Sequence, residues 1–284
     1  MTPDWETLLP LLVHLQANLD GDLSLAALSA KAGLSPFHLQ RLFRAMVGES
    51  PKQYTDRLRL ERAAFRMLIH ETTLMDIALD CGFRNHETFT RAFRRRYGRT
   101  PRSYRDWIRQ QASAEDHAGA PPSSPHYAIS STKVVRLRPM HVAFVRHVGP
   151  YENVPESLFD ELEQWRAIRR LPGPAVWLGI GHDSPGLTPP EKLRFDAAVE
   201  VPGPFAAEGR IAHQVLAGGE FAVTTHAGPY ETLPQAYMQI FPRVTALPRH
   251  RLIGLPVVEI YHTSRVTVAC RMNHTDICLP VSAK

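Results

Sequence analysis

Cysteine is scarce in this chain. Its 284 residues hold three, Cys81, Cys270 and Cys278. No CxxC pair occurs, so a disulfide scaffold is not expected. Cys270 and Cys278 are left as a candidate redox pair, whereas Cys81 reads as a small buried packing residue. Long apolar runs are missing as well: no stretch reaches the 18 or so residues that a membrane-spanning helix needs. The start MTPDWETLLP has no basic n-region, and the expectation is a cytoplasmic protein with no membrane partner. Phosphate-loop, GxSxG and metalloprotease patterns are absent, and the fourteen histidines do not fall at metal-ligand spacing. Neither a cofactor nor a metal is expected, and the reading is of a protein that is not an enzyme.

What is present suits a two-domain globular chain. Apolar residues make up 44% and charged residues 21%. The formal charge of +5 is unevenly spread. Residues 1–111 carry 17 Lys+Arg against 12 Asp+Glu, and the rest carry 16 of each. Between Arg84 and Arg109 there are nine arginines and two acids, Glu87 and Asp106. Such a run can be a solvated helix face, but here it coincides with a pattern built for phosphate.

That pattern is Ile77–Arg105, IALDCGFRNHETFTRAFRRRYGRTPRSYR. A short helix, a turn closed by Gly82 and a second helix opening near Asn85 form a helix-turn-helix, ended by Gly98 and Pro101. Leu23–Pro51, LSLAALSAKAGLSPFHLQRLFRAMVGESP, repeats the same order. Leu25, Leu28 and Ala32 share one helical face, Gly33 makes the turn, and Leu39, Leu42 and Phe43 pack back. Ser35 is placed as an N-cap, with Pro36 in the first helical position. In the second unit Asn85 caps, and Phe89, Phe93 and Tyr97 form the buried stripe. Tyr54–His70, with Leu58, Ala64 and Leu68, reads as a linking helix that fixes the separation of the two units. If that separation is about one DNA turn, ~34 Å, one chain could read two successive major-groove segments.

Ala112–His126, ASAEDHAGAPPSSPH, lacks apolar periodicity and reads as a linker. It divides a helix-turn-helix domain at 1–111 from a second domain at 127–284. The second domain also repeats: FVRHVGPYENVPE at Phe144–Glu156 and VTTHAGPYETLPQ at Val223–Gln235 lie 79 positions apart. Each GPYE follows a β-rich run and opens a helix (Glu156–Arg169 and Gln235–Thr245), and strands follow. Two βαββ units give an antiparallel-rich sheet with both helices on one face and the other face open. On period-2 geometry Val257, Glu259 and Tyr261 share a face. Leu178 and Ile180 are assigned to the helix-covered core, which leaves Trp177 on the open face with Tyr261 and Glu259. His147 and His226, equivalent in the two copies, read as turn-capping residues.

The helix-turn-helix segment resembles the end of the AraC/XylS family DNA-binding domain. Over roughly Thr132–Val281 the paired GPYE motif, with PPEKLRFDAAVEV between, resembles the GyrI-like effector-binding domain. The fold implied is an all-α double helix-turn-helix domain followed by an α+β domain of two βαββ repeats. The resemblance implies a cytoplasmic transcription regulator that binds double-stranded DNA and is controlled by a lipophilic or cationic small-molecule effector. It also places base-contacting side chains at Phe37, Gln40 and Arg41 and at His86, Glu87, Thr90 and Arg91. Arg41 can pair with guanine, Gln40 with adenine, and Phe37 can pack on a thymine methyl. Glu87 either accepts from cytosine N4 or pairs Arg91 at i+4, and pairing is preferred. Arg94, Arg95, Arg96 and Arg99 are read as phosphate contacts.

For the effector, the resemblance implies a glutamate in the strand of Glu259. Trp177 and Tyr261 would supply aromatic walls for stacking and cation–π attraction. Tyr151 and Tyr230 either edge the pocket or hold the helix starts, and the alternative reading of Glu259 is a solvated strand residue or a partner of Arg251 or Arg265. Two further readings stay open. Some GyrI-like proteins hydrolyse reactive small molecules, with a pocket carboxylate as base. The C-terminal domain could instead engage a protein such as gyrase or RNA polymerase.

Overall fold

A computed structural model describes residues 4–117, 127–254, 256–262 and 273–284. Cys270 and Arg265 lie outside the described residues, as does the 118–126 part of the expected linker. The chain divides into two compact units, Met1–Ala118 with Ala206–Ala212, and Gly119–Phe205 with His213–Lys284. Among the described residues, no helix is long and apolar enough to cross a membrane.

The first unit is helical: α1 (Trp5–Ala17), α2 (Leu25–Ala32), α3 (Pro36–Val47), α4 (Pro51–Ile69), α5 (Leu74–Asp80), α6 (His86–Tyr97) and α7 (Pro101–His117). The punctuation is local. Ser24, Ser35, Thr73 and Asn85 each accept a hydrogen bond from a backbone N–H of the first turn that follows. Ser50 and Gln53 close a reciprocal capping box at the head of α4, with Pro51 at its first position. Gly33, Gly48 and Gly98 end their helices in the left-handed region, which costs a glycine nothing sterically. Gly82, at φ +82°, makes the second turn; a side chain there would strike the Leu19 carbonyl and the Arg59 guanidinium.

Leu28, Leu39, Phe43, Ile77, Phe89 and Phe93 are buried, as are Ala63, Ala64 and Met67 of the linking helix. Helices α3, α5 and α6 pack on α4, and α2 packs on α3. Leu68 and Tyr97 are only partly buried. Burial raises the Cys81 thiol to about 11, as suits a packing residue. α7 continues to His117, six residues into the stretch expected to be linker. ASAEDH holds no glycine or proline, so nothing in it stops a helix before Gly119.

The described residues of the second unit form one sheet with two α-helices. The first copy supplies β3 (Met140–Val148), α8 (Ser157–Ile168), β4 (Trp177–Gly181) and β5 (Arg194–Glu200). The second supplies β7 (Gly219–Gly228), α9 (Leu233–Thr245), β9 (Val257–Tyr261) and β10 (Asn273–Ala283). Shorter strands are β1 (Ala128–Ile129), β2 (Lys133–Leu137), β6 (Ala212–Leu216) and β8 (His250–Leu252). The order β1-β7-β10-β9-β4-β5-β3-β6 sets the copies head to head, with β4 and β9 adjacent at the centre and β2 and β8 on β7 and β10. Both copies are βαββ, as the sequence predicts.

One expectation fails. Trp177, Glu259 and Tyr261 lie on the helix-bearing face: Phe159 of α8 meets the rings of Trp177 and Tyr261, and Tyr237 of α9 hydrogen-bonds Glu259. Leu178 and Ile180 project to the other side and are fully buried there too. The bulky aliphatic residues Leu178 and Ile180 are thus not the ones that meet the helices. The helix side of β4 is instead the side of Gly179 and Gly181, where missing side chains make room for rings.

Candidate functional site

Two groups of side chains carry chemistry, one in each unit. In the first unit the capped starts of α3 and α6 present the predicted reading residues. Phe37 is 76% exposed one residue after Pro36, in a position that packing alone does not explain. Gln40 and Arg41 are exposed on the same helix, while Leu39 and Phe43 hold its inner face. On α6 the exposed set is His86, Glu87 and Arg91, with Thr90 half-buried and its hydroxyl 3.4 Å from His86 Nδ1. Glu87 and Arg91 pair at 3.8 Å with both side chains in solvent, a weak contact that orients the guanidinium.

Arg94, Arg95 and Arg99 are exposed, Arg99 lying over the Trp107 ring. Arg96 departs from its expected role as a phosphate contact. It donates to Glu61 of α4 at 3.3 Å and stacks on Tyr97. Glu61 also takes Arg57 at 3.2 Å, and Arg57 reaches Glu49 at 2.6 Å. This buried network joins the linking helix to α6 and to the turn after α3. Arg96 sits on the inner flank of α6, so burial beside a carboxylate consumes its charge.

In the second unit Glu259 is buried, and both its oxygens accept phenol hydrogen bonds, from Tyr237 at 2.7 Å and Tyr261 at 2.6 Å. Burial raises the Glu259 carboxyl above the ordinary range, with the two phenols acting in the opposite sense. Tyr261 pairs across the central strands with Trp177, and Glu259 with Gly179. A Cβ on Gly179 would meet the Tyr261 hydroxyl and come within 2.6 Å of Phe195 Cζ, so only glycine leaves Tyr261 room to reach Glu259. Tyr230 is 38% exposed with its ring edge-on to Tyr261 at 5.5 Å. The rings grouped around Tyr261 and Glu259 are therefore those of Trp177, Phe159, Tyr230 and Tyr237.

The other predicted tyrosine, Tyr151, is tied down. Its hydroxyl donates to the Asp183 carbonyl at 2.8 Å and accepts from the Asp183 N–H at 3.0 Å, so it holds a loop. His147 and His226 do brace their turns, reaching the Pro150 carbonyl at 3.3 Å and the Thr232 hydroxyl at 2.8 Å. Phe159 and Tyr237 were missed. The alternation W-L-G-I-G was the available signal, because small residues two apart mark a strand face on which something else must pack.

On the far side of the sheet the copies match again. Asp196 takes Arg146 at 2.6 Å, His182 at 2.6 Å and Gln214 at 2.8 Å. Asp276 takes Thr225 at 2.6 Å and His262 at 2.8 Å in the equivalent places. Burial beside the Arg146 and Arg194 guanidiniums lowers the His182 pKa, so its neutral ring donates to Asp196. The Asp196 carboxyl is held far below the usual range by Arg146 and His182, which outweigh its burial.

These features define a two-module chain, with paired helix-turn-helix units on one linking helix and a two-copy βαββ sheet carrying an aromatic-walled acid. Residues 131–282 match the GyrI-like small molecule binding domain, and residues 28–106 match a helix-turn-helix domain. The chain belongs to the GyrI-like family, and an AraC-type helix-turn-helix domain precedes its GyrI-like domain. The right origin-binding protein of Escherichia coli K12 is 40% identical over 95 residues, 34% of this chain and 33% of that protein. The regulatory protein SoxS of the same organism is 35% identical over 95 residues, 34% of this chain and 89% of SoxS. The chain thus spans about a third of the length of the first of these relatives. A transcriptional regulator of Chromobacterium violaceum with an AraC-type DNA-binding domain is 30% identical, covering 37% of this chain and 93% of that structure, with a TM-score of 0.34.

Proposed function

We propose that the protein is a sequence-specific DNA-binding transcription regulator whose C-terminal domain senses a lipophilic or cationic small molecule. The observation that carries this is the pairing of two exposed, basic recognition helices on one linking helix, with Glu61 bonded at once to Arg57 and Arg96. Two such helices held rigidly can address two major-groove segments with one chain. Phe37, Gln40 and Arg41 read bases in the first segment. His86, Thr90 and Arg91 do so in the second, with Glu87 orienting Arg91. Arg94, Arg95 and Arg99 neutralise phosphates.

The sensing half rests on Glu259 among Trp177, Phe159, Tyr230, Tyr237 and Tyr261. A buried carboxylate ringed by aromatic faces suits a cation with apolar substituents. Both Glu259 oxygens already accept hydrogen bonds, so the group is set up as a recognition charge rather than as a base offering a bare oxygen. Binding selection from randomised duplex DNA, repeated with and without tetraphenylphosphonium, tests both halves. An enriched motif whose occupancy shifts with the cation is expected. Recovery of no motif would overturn the first half, and a motif indifferent to every lipophilic cation would overturn the second.

A further inference from the structure

A line of register-paired residues crosses the helix-bearing face: Trp177 with Tyr261, Tyr261 with Thr275, and Thr275 with His226. Its aromatic end is the Glu259 site. At the other end two polar atoms are buried with no hydrogen-bond partner among the described residues, His226 Nδ1 and Thr275 Oγ1. Both residues are fully buried. Orphaned buried polar atoms are uncommon and costly, about 1–3 kcal/mol each, and two facing each other call for one explanation. Directly paired side chains on antiparallel strands have Cβ atoms about 5 Å apart, close enough for one small group to reach both.

The tautomer of His226 says which group fits. The Thr232 hydroxyl donates to the Pro229 carbonyl at 2.7 Å, so at 2.8 Å from His226 Nε2 it can only accept. Nε2 therefore carries the proton. Burial, with His274 nearby, lowers the pKa of the ring and favours its neutral form, so Nδ1 presents a bare lone pair. Thr275 Oγ1 has a proton to give. One O–H group, of water or of a ligand that displaces it, donates to Nδ1 and accepts from Oγ1 at once.

The two copies differ at this spot. The first has Phe195 where the second has Thr275, and Gly181 where the second has Tyr261, as the registers show. In the first copy a ring fills the site, and the polar pair belongs to the second copy alone.

We infer that His226 and Thr275 form a hydroxyl-recognising subsite, so that the preferred effector carries an alcohol or phenol oxygen between one and two strand spacings, roughly 7 Å, from the group that meets Tyr261 and Glu259. This inference rests on the reading of the Glu259 face as the effector site, and its test separates the two. The full chain is titrated calorimetrically with two matched probe pairs. One is phenethyltrimethylammonium and its 4-hydroxy analogue; the other is the neutral pair ethylbenzene and 4-ethylphenol. Wild type should prefer the hydroxylated member of each pair by about tenfold, as two hydrogen bonds allow. Thr275→Val keeps the shape and should cut the preference to about twofold while leaving the affinity for ethylbenzene in place. His226→Phe should do the same, and thermal melting verifies that each variant folds. A hydroxyl preference in the neutral pair with no binding of either cation sustains the subsite and overturns the cation reading. Cation binding with no hydroxyl preference in wild type, or a preference that survives in folded Thr275→Val, overturns the subsite.

Discussion

Arg96 on the second recognition helix donates to Glu61 on the linking helix at 3.3 Å, across 35 residues of sequence. One carboxylate thereby receives Arg57 and Arg96 together, and it is nearly solvent-free. Breaking a buried ion pair from one side leaves the other charge without compensation, which commonly costs 3–5 kcal/mol. Glu61→Ala should destabilise the helical unit by about 3 kcal/mol, the low end of that range because Arg57 keeps Glu49. Urea unfolding of the full chain, followed by helix signal, checks this. A change under 0.5 kcal/mol would show that the network is incidental.

The same contact separates arginines that look alike in sequence. Arg95→Ala should weaken binding to all DNA sequences about equally and flatten the log–log salt slope by about 0.9, as expected for one phosphate contact. Arg96→Ala should leave that slope unchanged and lower stability instead. Arg41→Ala should cost roughly 1–3 kcal/mol at the preferred site and relax selection at one base pair. Anisotropy titrations at several salt concentrations, with selection on randomised DNA, distinguish the three patterns. Identical behaviour of Arg95→Ala and Arg96→Ala would refute the distinction.

Much of this was legible because it is local. Ser35-Pro36 and Asn85 mark helix starts, Gly33, Gly82 and Gly98 mark stops, and GPYE recurs where each βαββ copy turns. Side-chain direction was less legible. Nothing in FRRRYG says which arginine faces inward, because that depends on Glu61, which stands 35 residues earlier on another helix. In AVWLGI, parity correctly grouped Trp177 against Leu178 and Ile180, but it could not say which side held the helices, since both sides are buried. The linker was drawn too long because a polar, alanine-containing stretch such as ASAEDH can extend a helix without any apolar stripe.

Asp196 gives the second unit a pH dependence of known sign. Its folded-state pKa lies below its unfolded value, as does that of Asp183 beside Arg194. Groups of this kind stabilise fully above the unfolded carboxylate value of about 4, and the contribution is lost as pH falls towards the folded values. The melting temperature of the unit should therefore drop steeply below about pH 4. Asp196→Asn should lower it at neutral pH, since Arg146 loses its counter-charge, and should make the acid limb shallower. Scanning calorimetry between pH 2.5 and 7 measures both. An acid limb identical in the variant would assign the loss to other carboxyls.

Glu259 divides the sensing role from a catalytic one. Glu259→Gln keeps the size, and its one carbonyl oxygen still accepts from one of the two phenols while its NH2 donates to the other, but it removes the charge that a buried cation requires nearby. Affinity for phenethyltrimethylammonium should fall at least tenfold, while that for neutral ethylbenzene changes little. Because burial raises the carboxyl's pKa, protons compete with the cation: wild-type affinity should weaken as pH falls through the titration of Glu259, and the Gln variant should show no such dependence. A hydrolase would respond differently. There the same change would abolish turnover of an electrophilic substrate and barely alter its binding. Calorimetry across pH, run beside an assay of substrate decay on both proteins, separates the cases. If wild type turns substrate over and binds cations no better than the Gln variant, Glu259 is a base and the sensor reading fails.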